Sequence, residues 1–378
     1  MDQQRRDGIC EATSARLAKA VGGLPGLHAV IGLDGFVDEI IAVVDKRHAD
    51  GRFDPIRTIG VLGEKIRRAA GDSSNYELVV KQQKLGGNGP IMANALASLR
   101  LNVTYIGALG YPGLHPVFQH FAGNANVISV AEPGHTDALE FDDGKLMFGK
   151  YESLNDVGWA NLVDRVGKVA LQREVDRATL IGLVNWTMLP HMSEIWDHLR
   201  EEILPAAPAA PRTLFIDLAD PEKRTHEDIG AALKLLTRFQ ERIEVILGLN
   251  LKEAVEVAEV LGLPVGADPE SSIAALASAI RAALDLGCVV IHPRRAAAAA
   301  TRTESAEFAG PFVQQPRIST GAGDHFNAGF CLGRILGLDL DESLCAGVAC
   351  SGYYVRSGQS PSAAQLAEFI AELPPPEG

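Results

Sequence analysis

The sequence is poor in aromatic residues, which make up 6% of its 378 positions. It contains no apolar stretch long enough to span a bilayer. Its five cysteines, Cys10, Cys288, Cys331, Cys345 and Cys350, include no CxxC pair. An odd count without paired spacing argues against a disulfide framework and gives no zinc signature. Free buried thiols in a reducing cytoplasm are the expectation. Met1 to Gly8 is polar and no apolar core follows it, so export is not expected. Positive charge is in deficit, with 35 basic against 48 acidic residues and a formal net charge of −13. Such a surface repels a phosphate backbone and an anionic membrane, which argues against nucleic acid and membrane partners. A small anionic substrate remains open, because a local group of backbone N–H donors binds phosphate even on an acidic protein. GxxxxGK[ST], an early GxGxxG, HExxH and GxSxG are all absent. Those absences argue against a P-loop NTPase, a dinucleotide enzyme, a zinc protease and a nucleophile elbow.

What is present is an ordinary globular composition, 47% apolar and 22% charged, with 38 glycines. Strand-like runs at His28–Leu33, Glu77–Gln83, Asn102–Ile106, Leu180–Val184, Thr213–Ile216, Glu244–Leu247 and Cys288–Ile291 can be picked out. Helical patterns fall at about 10–22, 61–70, 90–99, 156–172, 192–203, 226–240, 250–261 and 270–285, and again after Gly321. Strands alternating with helices of this length predict βαβ units and an α/β fold with a mainly parallel sheet. Two short strand-like runs around Asp142-Asp143-Gly144 carry a DG hairpin signal and predict a β flap over 136–149. Pro205–Pro211 is read as a loop, residues 1–27 as an N-terminal helical extension, 28–372 as the main domain and 373–378 as a tail.

In open parallel sheets, ligands sit beyond the carboxyl ends of the strands, so the residues there are the ones to question. The densest motif is Ser319-Thr320-Gly321-Ala322-Gly323-Asp324, followed by a helical run. Glycines flanking an alanine let successive N–H groups converge, and the helix adds the positive end of its dipole. Asp324 falls in the first turn, where it can accept a proton from a hydroxyl. The bland alternative is a capped helix after a glycine turn. Gly86-Gly87-Asn88 opens another helix and admits close approach to its backbone; it also reads as a plain strand-to-helix turn. Asn250-x-x-Glu253 has capping-box spacing and the donors to hold a metal-bound water. Asp34 and Asp38 follow the first strand, where Asp34-Gly35 is also a turn signal. Asn185-Trp186 and Phe36 can stack on a base, line a sugar pocket, or belong to the core.

Taken together, an aspartate after the first strand, GGN, a DG flap, NxxE and a late GAGD occur in one order along one α/β chain. That order resembles the ribokinase/PfkB family of carbohydrate kinases over about residues 28–372. Asp217-x-x-Asp220 with Arg224 is similar to a weaker family element near the nucleotide. The resemblance implies a three-layer α/β body with a small β lid, formed by about 136–149, with 36–60 as a second candidate segment. It implies transfer of the ATP γ-phosphoryl group to a sugar or nucleoside hydroxyl, in the cytoplasm, with magnesium as cofactor. By this analogy Asp324 is the base and Gly321, Ala322 and Gly323 form the anion hole. Asn250 and Glu253 organise the metal–phosphate shell. Asp38, with Asp34 as second choice, and Gly86, Gly87, Asn88 and Asn185 grip the acceptor, while Asp220, Arg224, Arg294 and Thr320 serve the nucleotide. An exposed lid strand is an edge that invites a homodimer. A nucleoside kinase, or a binding protein of this fold that has lost catalysis, is the alternative.

The sequence departs from the family pattern twice. The family often has Thr-x-Gly-x-x-Gly before GAGD, where this chain has Ile291-His292-Pro293-Arg294-Arg295-Ala296, without glycine. Side-chain charge from Arg294 or Arg295 is the expected substitute. Six residues before the GAGD aspartate, the family's usual acidic residue is replaced by Ile318. In relatives that residue helps hold an activating potassium ion, so weak potassium activation is expected.

Overall fold

His28–Leu33 is apolar along most of its length, and as strand β1 it buries every side chain. Such a run suits a parallel strand covered on both faces. The structure, a computed structural model, describes residues 2–204 and 211–376. Most of the predicted loop at 205–211 and the end of the tail therefore lie outside the described residues.

The remaining strands are β2 (Phe36–Arg47), β3 (Phe53–Pro55), β4 (Leu78–Gly86), β5 (Asn102–Gly107), β6 (Asn126–Ser129), β7 (Gly134–Phe141), β8 (Gly144–Lys150), β9 (Leu180–Val184), β10 (Thr213–Asp217), β11 (Glu244–Leu249), β12 (Cys288–Ile291), β13 (Ala296–Thr301) and β14 (Ser305–Ala309). The helices are α1 (Gln3–Ala20), α2 (Ile59–Arg68), α3 (Asn88–Ser98), α4 (Gln119–Ala122), α5 (Trp159–Arg165), α6 (Lys168–Arg177), α7 (Met192–His198), α8 (His226–Gln240), α9 (Leu251–Val260), α10 (Ile273–Leu284), α11 (Ala322–Ile335), α12 (Leu340–Ser357) and α13 (Ala363–Ala371).

Among the described residues, nine strands form the main sheet in the order β14-β13-β12-β11-β10-β9-β1-β5-β6. Every pairing from β12 to β6 is parallel, and only the β12–β13 and β13–β14 pairings are antiparallel. Helices α5 to α10 cover one face through residues such as Trp196, Leu233, Val257 and Ile280. Helices α1, α3, α11, α12 and α13 cover the other through Leu17, Leu96, Phe330, Leu344 and Leu366. The expected three-layer α/β body is therefore present.

Four features go beyond the sequence reading. Helix α1 starts at Gln3, capped by Asp2, and Arg6 donates to the carbonyls of Leu373 and Pro374. The N-terminal helix is thus packed onto the C-terminal one. The helix expected over 156–172 is broken at Gly167, whose φ is 87°, into α5 and α6. The alanine run Ala296–Ala300 is strand β13, although alanine favours helices, because Ala297, Ala298, Ala299 and Ala300 are buried between layers. The lid is also larger than a hairpin. Its strands run β3-β2-β7-β8, with β4 also paired to β2.

The DG signal does mark the β7–β8 turn, where Phe141 pairs with Gly144. The sequence between β3 and β4 contributes α2, whose Leu62 packs with Ile41, Val43, Ile56 and Leu139 of the lid. Asp143 at the hairpin tip accepts from the Ile59 amide at 2.9 Å and so ties helix to hairpin. Leu78, Val80, Met147 and Phe148 stay exposed on lid strands β4 and β8. No helix among the described residues is long and apolar enough to cross a membrane.

Candidate active site

Asp34 directly follows β1 and has no exposed surface. Its carboxylate accepts from the amides of Asn88 and Gly89, both at 2.9 Å, and from Asn185 Nδ2 at 2.8 Å. The Tyr105 hydroxyl donates to its carbonyl at 2.5 Å. Burial still raises the carboxyl to about 6. Asp34 and Asn185 therefore brace the glycine turn from below rather than face the solvent.

Asp38, four residues on, is half-buried at the base of β2, where it bonds to Thr136 of the lid, and burial raises its pKa. A methyl group at Gly86 would run into this carboxylate, so the first glycine of the motif leaves the space that Asp38 occupies. Asn88 then reaches across to donate its Nδ2 to Asp324 Oδ1 at 3.0 Å. That bond joins the GGN and GAGD motifs, which lie 236 residues apart in sequence.

Asp324 is buried in the first turn of α11. Burial, reinforced by the neighbouring charge of Asp217 and further away of Asp34 and Glu253, pushes its pKa well above the carboxylate range. Gly321 caps the helix with φ at 88°, a conformation that side chains disfavour. The Ala322 amide is engaged with the Ser319 carbonyl at 3.2 Å, whereas the amides of Gly321 and Gly323 have no protein acceptor among the described residues. Free first-turn amides at a helix start make a site for an anion.

Asn250 and Glu253 form a full capping box at the start of α9, with bonds of 3.0 and 2.8 Å. Glu253 also accepts from the Asp220 amide at 2.9 Å. Burial and the charge of Asp217 raise Glu253 to about 8. Asp217 itself, at the end of β10, accepts from Asn327 Nδ2 and the Ala219 amide, both at 2.9 Å, and burial raises it to about 6. Sequence reasoning placed Asp217 only in a weak nucleotide element and gave Asn327 no role. Their signals were a strand-end aspartate and a position one helical turn beyond Asp324, and only the fold brings the two together.

The remaining predicted residues are dispersed. Asp220, with φ at 62°, pairs with Lys252 at 3.0 Å and Lys223 at 3.2 Å. Arg224 lies outside the acidic cluster. Its Nε and Nη2 donate to the carbonyls of Thr187 and Leu189, both at 3.0 Å, and its guanidinium stacks 4.9 Å from the Trp186 ring. Trp186 and Phe36 are core residues, which excludes both from base stacking. Arg294 is exposed at the mouth of a cleft of about 600 Å³ lined by His292, Phe312, Val313, Ala322 and Gly323. Arg295 lies 4.3 Å over the Phe312 ring. A second cleft of about 650 Å³ runs under the lid and is lined by Asp38, Lys84, Asn94, Lys145 and Met147. The two clefts share Pro316, Ser319 and Thr320, so they meet where α11 begins.

Known proteins share this layout. The sequence pattern of the prokaryotic ketohexokinase family matches residues 8–373. A ketohexokinase of Haloferax volcanii is 29% identical over 348 residues, covering 92% of this chain and 91% of that protein. Among solved structures, a probable sugar kinase of Rhizobium etli superposes with a TM-score of 0.63 at 16% identity, covering 92% of this chain and 98% of the other. Arabidopsis thaliana ribokinase, solved with ribose and ATP, gives 0.61 at 15% identity over 92% and 98%.

Proposed function

The chain belongs to the prokaryotic ketohexokinase family, and from that premise we propose that it transfers the γ-phosphoryl group of ATP to a hydroxyl of a ketohexose. At the coarser level it is a carbohydrate kinase, a phosphotransferase with an alcohol acceptor. The observation that carries the finer reading is the junction of the two clefts at Thr320, with Asp324 and the free amides of Gly321 and Gly323 beside it. The cleft under the lid takes the acceptor, and the other takes the nucleotide.

In this reading Asp38 and Asn88 accept from and donate to acceptor hydroxyls. The reacting hydroxyl oxygen attacks the γ-phosphorus as the bond to the β-phosphate oxygen breaks, ADP departs, and the hydroxyl proton passes to Asp324. A raised proton affinity suits Asp324 to that task. The amides of Gly321 and Gly323 face the charge that builds on the transferring group.

Among the described residues no three acids are grouped closely enough to ligate an ion directly, so a divalent cation would be held here through its water shell. The charge of Asp217 raises the proton affinity of both Glu253 and Asp324, and that of Glu253 adds to the effect on Asp324. Their oxygens are the hard donors that magnesium prefers. Both Glu253 oxygens are already held by backbone amides, so Asn250 and Glu253 would hold the ion through its water shell. Bound there, magnesium supplies charge neutralisation for the phosphates.

The test is ATP turnover against ketohexoses, aldoses, sugar phosphates, polyols and nucleosides. Preference for a ketohexose by at least tenfold in kcat/KM is the expected result. Preference for a nucleoside, or no turnover with any sugar, overturns the reading.

A further inference from the structure

His325 follows Asp324 directly, is 1% exposed and uses both ring nitrogens. Nδ1 lies 2.7 Å from the Gly321 carbonyl, which can only accept, so Nδ1 carries the proton. Nε2, 2.9 Å from Ser360 Oγ, then accepts from that hydroxyl in the neutral ring. Burial holds the ring neutral, with its pKa down at about 4. The ring stacks on Tyr354 with centroids 3.6 Å apart and planes 12° from parallel. Tyr354 in turn donates its hydroxyl to the Thr320 carbonyl at 3.0 Å. Two successive carbonyls of the turn that precedes α11 are thus held by one aromatic pair. Ser360 Oγ also lies 3.5 Å from Asn94 Nδ2, a long contact between two residues that line the acceptor cleft.

We propose that His325, with Tyr354, is a positioning residue that fixes the Gly321 amide and the first turn of α11, which carries the Gly323 amide. The inference rests on the kinase reading above. A carbonyl fixed in space fixes the plane of the next peptide, so holding the Thr320 and Gly321 carbonyls sets the directions of the Gly321 and Ala322 N–H groups. The Gly321 carbonyl also accepts the His325 amide at 3.1 Å, so the side chain adds a second restraint to the first turn of α11. The Ser360–Asn94 contact ties this brace to the acceptor wall.

The test compares three substitutions at one position. His325→Phe keeps the stack on Tyr354 and removes both hydrogen bonds. His325→Asn places a donor where Nδ1 is, and His325→Gln places one where Nε2 is. For His325→Phe we expect an unchanged melting temperature, an acceptor KM within twofold, and kcat lower by roughly tenfold, the low end for a displaced anion-hole donor. His325→Asn should recover most of that loss and His325→Gln little of it. A separate readout is binding: His325→Phe should weaken ADP several-fold and leave adenosine unchanged. Wild-type kcat and ADP affinity in His325→Phe overturn the proposal while leaving the kinase reading intact. Equal losses in all three variants also overturn it, since the tether would then be irrelevant. If His325→Phe fails to fold, Tyr354→Phe removes only the bond to Thr320. Its kcat should drop about threefold, and an unchanged kcat overturns the proposal. A wild-type protein that binds no ADP and transfers no phosphoryl group overturns both readings together.

Discussion

The two clefts that meet at Thr320 are built in different ways. The acceptor cleft joins lid to body: Asp38, Lys84 and Lys145 come from strands β2, β4 and β8, and Asn94 from α3. Its polar groups are held in register by strand pairing, with Asp38 opposite Lys84 and Thr136. The nucleotide cleft lies wholly on the body, between the loops after β12 and β14 and one side of α12, and presents Pro311, Phe312, Val348 and Val355. Placed polar groups on a lid suit the recognition of hydroxyls and the exclusion of water. A cleft on the body with apolar side chains among its polar lining suits a flat base. Between them stands the Ser319-Thr320 turn, which lines both and leads into the acidic junction around Asp324.

The largest effect should come from breaking the junction. Chelation should abolish turnover, and magnesium should restore it. Glu253→Gln should raise the magnesium requirement more than the acceptor KM. Loss of the capping interaction alone would cost only about 0.5–2 kcal/mol of stability, so a variant that melts earlier with unchanged metal dependence would assign Glu253 to capping only. Next comes Asp324→Asn. Turnover should fall by roughly 10²-fold or more, the scale of a positioned base, while ADP binding and the melting temperature persist. Near wild-type turnover would remove Asp324 from the chemistry.

A substitution confined to the acceptor side should separate the clefts. Gly86→Ala forces the Asp38 carboxylate aside. Loss of a charged hydrogen bond to the acceptor predicts an acceptor KM higher by about tenfold, with ATP KM within twofold. Equal changes in both constants would show that the clefts are not independent.

The acids of the junction also predict a pH dependence. Asp34 and Asp217 are raised to about 6 and Glu253 to about 8, all above their ordinary values. The fold therefore favours their protonated forms. That stability is fully present below about pH 4 and is lost as pH rises through 6 and then 8. In chelator the melting temperature should fall over this window, with acid denaturation of other groups limiting the low end. Magnesium should flatten the fall near pH 8. A melting temperature that rises across the window in chelator would show that these acids are charged in the cation-free fold.

The clefts also differ in how far the sequence reveals them. β1, β9 and β12 run over the residues expected, because buried parallel strands are continuous apolar runs between turn signals. GGN and GAGD were legible because glycines at close approaches leave a local mark. β13 was not, because five alanines carry no strand signal until two layers close on them. The acceptor cleft was half legible. Asp38 could be named, but its partners Lys84 and Thr136 depend on the register of β2 with β4 and β7. Arg224, expected near the nucleotide from the family resemblance, braces the 187–189 loop through the Thr187 and Leu189 carbonyls, contacts that only the fold reveals.

The smallest expected effect concerns potassium. Ile318 stands where the family pattern resembled by the sequence implies a carboxylate, and it lines the cleft under the lid. An alkyl chain there removes both the charge and the donor oxygens that a monovalent cation needs. The neighbouring carbonyls are also partly taken. Arg317 donates through its amide to the Val355 carbonyl at 2.8 Å and through Nη1 to the Ser357 carbonyl at 3.2 Å, at the end of α12. A fixed guanidinium beside those carbonyls repels a second cation and already satisfies the C-terminal end of that helix. A remote acid such as Glu304 or Glu307 would have to be held in place at an entropic cost. Initial rates at fixed magnesium and ATP, with potassium replaced by a bulky organic cation at constant ionic strength, should therefore change by less than about twofold. A several-fold drop would mean that an ion binds beside the Thr320 turn despite Ile318. Repeating the assay with Arg317→Ala would then show whether the guanidinium limits that binding.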